Sequence, residues 1–594
     1  MHVHELRIEN FRGIRSFSQV LDQGLNGIIG AGDSGKTTIL DALAVLFHPN
    51  WLLNLSDNDF YQGDPENNPI RITATVADPP KALTTDKTFF AYLRGIDPTG
   101  SHIVDEPDDH TPALTCELTV GSDLEPIWKI ICDRHPEGIP LSATNRQKFG
   151  VRRIDASDHH LKWVRNSALH QLSEDADGQS TDTVLREVSR QARAAASEKL
   201  SPFKSTLDSI STQARTLRAA SHKSTFSAEL DADLTALTRG SISLHMDQRP
   251  VSRTGLGSRR LVTIGVQNLA EAGAHVLLID ELEAGLEPHR TRHLIRYLQR
   301  TSGRQVLLTT HSPVVVRELT ASQLRIARRT PEPLPPPPAP TDPDDNASTD
   351  NEPTKSSDPQ DAGGAVTLVT PPDTTQGTIR KHAEGFLSPR VLICEGATEV
   401  GFIRVLCNDL EDKNPARMSL IATVDGIGDP QFIEPARHFR QLGYTVGVFC
   451  DDDKDTDLTG LKAAGITVLR TAKGLDLEQQ VLGTLTPEGI KAVISYAIEE
   501  KGAGDKGANS VESVLTNHGV TFEIARALVT NQAITNPPPN LSQLVSIAAG
   551  KGGWFKAINR GEDMASLVLD PRFTTMTPAL GKYLDELRDW CAPA

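Results

Sequence analysis

Two sets of residues in this 594-residue chain have the types and spacing that chemistry requires. The first is Gly30-Ala31-Gly32-Asp33-Ser34-Gly35-Lys36-Thr37, which fits G-x-x-x-x-G-K-[ST] between an apolar run at 25–29 and a helical one at 38–47. In such a P-loop, glycines let the backbone turn its N–H groups onto phosphates, Lys36 adds positive charge for the outer phosphates, and the Thr37 hydroxyl ligates Mg²⁺. Gly30, Gly32, Asp33, Ser34, Gly35 and Thr38 complete the expected cradle. The second set is acidic: Glu395-Gly396-Ala397-Thr398-Glu399 follows the apolar run 391–394, and Asp451-Asp452-Asp453 follows the run 445–450. Carboxylates spaced E-x-x-x-E and D-x-D at the ends of buried strands are hard oxygen ligands that suit Mg²⁺ or Mn²⁺. Paired metals of that kind stabilise the attacking and leaving oxygens of a phosphodiester.

Other elements must position these groups. Val276-Leu277-Leu278-Ile279-Asp280-Glu281 reads as a buried parallel strand with function at its C-terminal end: Asp280 to hold Mg²⁺, Glu281 to orient or deprotonate a water. A second such strand, 305–310, ends in His311, placed to sense a γ-phosphate. Gly255, Gly257 and Ser258 open a helix expected to run to Ala270, a turn whose free N–H groups favour an anion. Residues 3–9 alternate as a half-buried strand, and Asn10-Phe11-Arg12-Gly13-Ile14 turns out of it. Gln62 is a candidate for a glutamine that watches the Mg²⁺. Residues 142–171 read as mixed structure without chemistry. Residues 182–237 have apolar positions at helical spacing and predict a helical insertion, a dimerisation or clamp element or else simple packing against the sheet.

Composition bounds the rest. A net charge of −16 argues against coating nucleic acid through overall charge but allows a local basic groove. Six scattered cysteines contain no C-x-x-C pair, which excludes a zinc ribbon of that type and gives no disulfide framework. The N-terminus lacks an apolar signal core, so a cytoplasmic protein with no membrane association is expected. Residues 329–375, Pro-rich and then acidic, predict a flexible tether. The expected organisation is therefore an ATPase domain at 1–328, a linker at 329–375 and a second catalytic domain at 376–594.

The IENFRGI opening ahead of a P-loop resembles the ATPase heads of the SMC and RecF group, in which the basic residue of that motif, here Arg12, lies near the nucleotide. In ABC-type heads the signature of one protomer covers the P-loop nucleotide of another, so the resemblance implies a homodimer or higher assembly. The acidic pattern resembles the Toprim domain of topoisomerases, primases and OLD nucleases. An ABC-type ATPase followed by Toprim is the OLD arrangement, an α/β architecture with a Rossmann-like parallel sheet in its second domain. The resemblance implies ATP and Mg²⁺ as cofactors, with Mn²⁺ or Ca²⁺ also accepted at the Toprim site. It further implies DNA cleavage, often in phage defence, and in one class a helicase-like partner. Glu395, Asp451 and Asp453 would be catalytic, with Glu399 and Glu478 as further metal ligands. Lys551 or Lys556 of the Lys551-Gly552-Gly553-Trp554-Phe555-Lys556 stretch would neutralise charge on the pentavalent phosphate. The alternative is an ATP-gated DNA clamp whose Toprim domain does not cleave.

Overall fold

The computed structural model describes the chain except residues 51–52, 86, 101, 106–109, 155–160, 163–166, 170–171, 173–202, 218, 220–223, 231–241, 271–273, 301–302, 331–362, 415–420, 429, 453–455, 535 and 593–594. It divides into two compact units, Met1–Asp373 and Thr374–Ala594.

In the first unit β1 (His2–Phe11) and β2 (Ile14–Val20) pair antiparallel, and β3 (Leu25–Ile29) leads through the glycine-rich loop into α1 (Lys36–Leu46). There follow β4 (Ile70–Ala77), β5 (Thr111–Val120), β6 (Pro126–Cys132), β7 (Val151–Ile154), α2 (Lys204–Thr216), α3 (Leu256–Ala270), β8 (Val276–Ile279), α4 (Pro288–Arg300), β9 (Gln305–Thr309), β10 (Leu324–Arg329) and β11 (Ala365–Val369). One sheet runs β7-β8-β9-β3-β10-β11-β2-β1-β4-β5 and continues through shorter strands. From β7 to β10 every pairing is parallel, and β3, β8 and β9 are buried throughout, which is why they read as unbroken apolar runs. Such a sheet presents chemistry at the C-terminal ends of its strands, and the P-loop, Asp280 and His311 all follow strand ends there.

Two expectations need correction. Of the supposed tether, 331–362 lie outside the described residues, but β11 sits inside the sheet, antiparallel to β10 and parallel to β2. Its alternation buries Val366 and Leu368, so the first unit extends to Asp373 rather than to 328. Of the expected helical insertion, 182–202 and 231–237 lie outside the described residues. Its described part is α2, which packs on α3 at Gly265, followed by the strand Phe226–Leu230 paired with Ile242–Met246. Alternation at Phe226, Ala228 and Leu230 favours a hairpin there over a helix.

The second unit contains β12 (Arg390–Cys394), α5 (Ala397–Lys413), β13 (Ile421–Asp425), α6 (Ile433–Gln441), β14 (Thr445–Cys450) and β15 (Thr467–Arg470). The strands form a parallel sheet ordered β13-β12-β14-β15. Helices α7 (Leu477–Leu482), α8 (Pro487–Glu500), α9 (Gly504–Asn517), α10 (Phe522–Val529), α11 (Leu541–Gly552), α12 (Ile558–Leu569) and α13 (Pro578–Cys591) complete it around one apolar core. Among the described residues no helix is long and apolar enough to cross a membrane, and all six cysteines are buried and free.

Candidate functional site

The glycine-rich loop turns through left-handed backbone at Asp33 (φ 56°) and Gly35 (φ 88°), which caps α1. Glycine carries that conformation at no steric cost, and the turn aims the first N–H groups of α1 out of the helix end. Lys36 Nζ donates to the carbonyls of Gly30 (3.1 Å) and Ala31 (2.7 Å) and to Ser34 Oγ (3.3 Å). Burial lowers its pKa, while Asp33, Asp280 and Glu281 act in the opposite direction. Asp280 Oδ1 accepts from Thr37 Oγ1 (3.2 Å) and Thr309 Oγ1 (2.5 Å). Two oxygens roughly 3 Å apart are adjacent corners of an octahedron with Mg–O bonds of about 2.1 Å, so Thr37 and Asp280 fit one Mg²⁺. Glu281 follows at φ 45°, exposed, with its N–H donating to Thr309 Oγ1 (2.8 Å).

The remaining expected contacts vary in placement. Gly257 lies against the Gly285 carbonyl, Ser258 Oγ accepts from Arg290 (2.9 Å), and Gly255 is open on all sides. The His311 side chain is exposed, and its N–H donates to Glu283 (2.6 Å). The Arg12 guanidinium pairs with Asp41 and with Asp59 (2.9 Å), two carboxylates of its own unit. Gln62 is exposed in a turn at φ 58°, whereas the strand beside β8 is β7.

In the second unit Glu395 stands at the end of β12 and Asp451 at the end of β14. The Asp451 N–H donates to Glu395 Oε2 (3.1 Å), and Glu399 folds back over the start of α5 to accept from the Gly396 N–H (2.9 Å). Asp476 caps α7 by accepting from the Gln479 N–H (2.8 Å), which sets Glu478 in the first turn. Glu399, Asp476 and Glu478 are all buried. Burial, then the charges of Glu399, Glu395, Glu478 and Asp476, push the Asp451 carboxyl up to about 9. Burial pushes Glu399 and Glu478 up to about 7; Glu395 and Glu478 add to the first, and Asp476 to the second. The positive charges of Lys556 and Lys551, both exposed, pull Glu478 the other way. At Gly550, just before Lys551, a Cβ would lie 2.6 Å from Asp476 Oδ2; only a glycine lets α11 come so near. The Thr398 hydroxyl donates to the Phe555 carbonyl (3.1 Å), tying the lysine stretch to the start of α5.

The donors are hard oxygens, and among the described residues the buried Asp451 Oδ1 has no hydrogen-bond partner, which suits a divalent cation. Among the described residues no three acidic, histidine or cysteine side chains already converge on one point, and Asp453 lies outside the described residues.

Residues 151–317 match the family described as "AAA domain, putative AbiEii toxin, Type IV TA system", and residues 1–105 match the family described as "AAA ATPase domain". The first unit is an AAA-type ATPase. Similar solved structures include the SmcHead bound to the C-winged helix domain of ScpA, at 12% identity over 62% of this chain and 97% of that chain, TM-score 0.38. The SMC head domain from Thermotoga maritima is similar at 11% identity over 62% of this chain and 99% of that chain, TM-score 0.30. No curated protein matches the chain.

Sequence reasoning missed three groups around the ATPase site. Arg153, within the stretch expected to hold no chemistry, reaches from β7 to Asp41 on α1 and to Asp280 Oδ2 (3.2 Å). Arg260 holds the strand end by donating to the carbonyls of Asp280 (3.0 Å) and Glu281 (2.7 Å). Thr309 joins Asp280 to Glu281 from the neighbouring strand. The strand Val151–Ile154 has two adjacent arginines between apolar ends rather than alternation, and nothing local gives the pairing of Arg153. In the second unit Arg470 donates to the Asp451 carbonyl (3.1 Å) and pairs with Asp452 (3.0 Å).

Proposed function

We propose that the chain is an ATP-hydrolysing, divalent-metal-dependent DNA endonuclease of the OLD type, its second unit a Toprim nuclease whose access to DNA follows the state of the ATPase. The observation that carries the reading is the set of Glu395, Glu399, Asp451, Asp476 and Glu478 at the C-terminal edge of a parallel sheet, Glu399, Asp476 and Glu478 buried and Glu395 and Asp451 half-buried, with an Asp451 oxygen that has no hydrogen-bond partner among the described residues. Glu395, Glu399, Asp451 and Glu478 would hold Mg²⁺ or Mn²⁺, joined by Asp453 from the sequence pattern. When bound, the metal supplies an activated water and neutralises charge on the cleaved phosphodiester. The chain's own part is positional. Glu399 and Glu478 orient the acidic edge from two helix starts, and Lys551 or Lys556 supplies positive charge where the pentavalent phosphate gathers electrons.

In the ATPase unit Lys36 and the loop N–H groups bind the phosphates, Thr37 and Asp280 hold Mg²⁺, and Glu281 orients the water. Gly255, Gly257 and Ser258 would cover a second protomer's nucleotide, which makes the working form a homodimer or larger. Supercoiled plasmid incubated with Mg²⁺ or Mn²⁺, with and without ATP, tests the reading. Wild type is expected to nick or linearise it, and Asp451→Ala is expected to leave it intact. Intact plasmid in every condition, with ATP hydrolysis retained, would replace the nuclease with an ATP-gated DNA clamp.

A further inference from the structure

Beside the acidic edge, still within the second unit, lies a cavity of about 720 Å³ that the reading above does not use. One wall is the loop after β13, where the Gly426 N–H donates to the Cys394 carbonyl and the Gly428 N–H to the Glu395 carbonyl, both at 2.7 Å. The same loop therefore supports Glu395 on one side and faces the cavity with Gly426 and Ile427 on the other. The lining also includes Lys381 from the helix Gln376–Lys381 and Arg437 from α6. Both cations are exposed, and among the described residues neither has an ion-pair partner. Below them, buried His438 shares a hydrogen bond with Thr378 (2.8 Å), with Glu434 3.9 Å from its other nitrogen.

Ile427 supplies the second observation. It is 49% exposed and sits at φ 66°. A β-branched residue in the left-handed region is a strained outlier, and an apolar one held out at a cavity mouth gains nothing from its own fold. In an acidic chain, two cations along the cavity without ion-pair partners among the described residues, an apolar tip and a volume of about 720 Å³ match an anion with a flat apolar part. Those are the features of a nucleotide within a strand.

The geometry points to this cavity as the seat of the nucleotide next to the scissile phosphodiester, with Lys381 and Arg437 on its backbone phosphates and Ile427 against its base. The inference rests on the reading of the second unit as acting on DNA. Binding without cleavage tests it, using the full chain in EDTA and fluorescein-labelled single-stranded oligothymidylate followed by anisotropy across a salt series. Each phosphate contact contributes about 0.7 to the slope of log K against log salt for single strands. The double variant Lys381→Ala/Arg437→Ala should therefore flatten the slope by about 1.4 and weaken binding about 25-fold at 0.1 M salt. Ile427→Ser should weaken binding with the slope unchanged, because an apolar contact releases no counterion. Lys506→Glu, on the exposed start of α9, should bind as wild type does, and ATP hydrolysis should persist in all variants as the check on folding.

Competition separates a strand from a lone nucleotide. Unlabelled oligothymidylate should displace the probe at far lower concentration than thymidine monophosphate. An unchanged slope in the double variant, with wild-type binding and Asp451-dependent cleavage intact, would overturn the cavity assignment alone. A wild-type chain that binds no oligonucleotide at any salt would overturn both that assignment and the DNA reading.

Discussion

Replacing Asp451 with asparagine should make the second unit more stable at neutral pH when divalent ions are absent. Burial, followed by repulsion from Glu399 and Glu395, pushes the folded carboxyl from its ordinary 3.8 up to about 9. Unfolding restores the ordinary value. Between those pH values the folded chain keeps a proton that the unfolded chain releases, so the group destabilises the fold. The penalty is absent below the unfolded pKa, grows as pH rises, and levels off above the folded pKa. At about 1.4 kcal/mol per pH unit, the penalty accumulated by pH 7 is at most about 4 kcal/mol. Movement of neighbours and entry of water reduce this to about 1–3 kcal/mol, because buried groups behave as if the effective dielectric were about 20 rather than 4. For a domain of this size, 1 kcal/mol is about 2–4 °C in melting temperature. The Asp451→Asn chain in EDTA should then melt about 2–10 °C above wild type at pH 7 and alongside it at pH 4. Mg²⁺ should narrow the gap, since a ligand of the folded state stabilises the charged site more than the neutral one. Calorimetric melts of the full chain from pH 4 to pH 9, with and without Mg²⁺, measure all of this. A variant less stable than wild type at pH 7, or a difference that ignores pH, would refute the picture of an under-neutralised carboxylate.

The ATPase unit and the packing of the second unit give two more tests. Arg153 pairs with Asp41 and Asp280 together, so Arg153→Ala leaves Asp41 to Arg12 alone and the Asp280 carboxylate without that guanidinium beside the incoming triphosphate. Its ATP affinity by calorimetry should fall about tenfold or more in EDTA, the scale of one charged hydrogen bond, and by less in Mg²⁺, which restores positive charge at Asp280; an equal loss in both buffers would place the effect elsewhere. At Gly401 a Cβ would lie 2.0 Å from the Ile558 carbonyl oxygen, where α5 crosses α12. Gly401→Ala should destabilise the second unit by about 1–3 kcal/mol while leaving ATP hydrolysis at 25 °C unchanged, and a single unshifted melt would contradict that contact.

The parts of this molecule legible in its sequence are those whose chemistry is done by consecutive residues. A P-loop works through contiguous backbone, so its glycines, Lys36 and Thr37 declare themselves. Buried parallel strands such as β8 and β12 declare themselves too, because burial on both faces leaves no polar alternation. Pairings made across the fold are not legible. Arg153 finds Asp41 and Asp280 at separations of 112 and 127 residues, and its local pattern is simply that of a strand. The strand β11 was hidden for a different reason: the Pro-rich, acidic stretch before it dominates the composition, and five alternating residues are too few to reverse that reading.

In the second unit the strand-end carboxylates were readable, while the surroundings that give them their properties were not. Asp476 caps α7, and only the fold brings that cap near Asp451 and against the glycine that admits α11. Lys551 and Lys556 read as the lysine pair of which one would meet the phosphate; what the sequence hides is that the charge of both lowers the Glu478 carboxyl. The assembled charges then constrain the chemistry. Burial and mutual repulsion push Glu399, Asp451 and Glu478 up together, so these three either take up protons or share a cation. Protons alone would leave Asp451 Oδ1 unsatisfied. A divalent cation would satisfy it and let Glu399 and Glu478 ionise at neutral pH, the state in which they could serve as ligands.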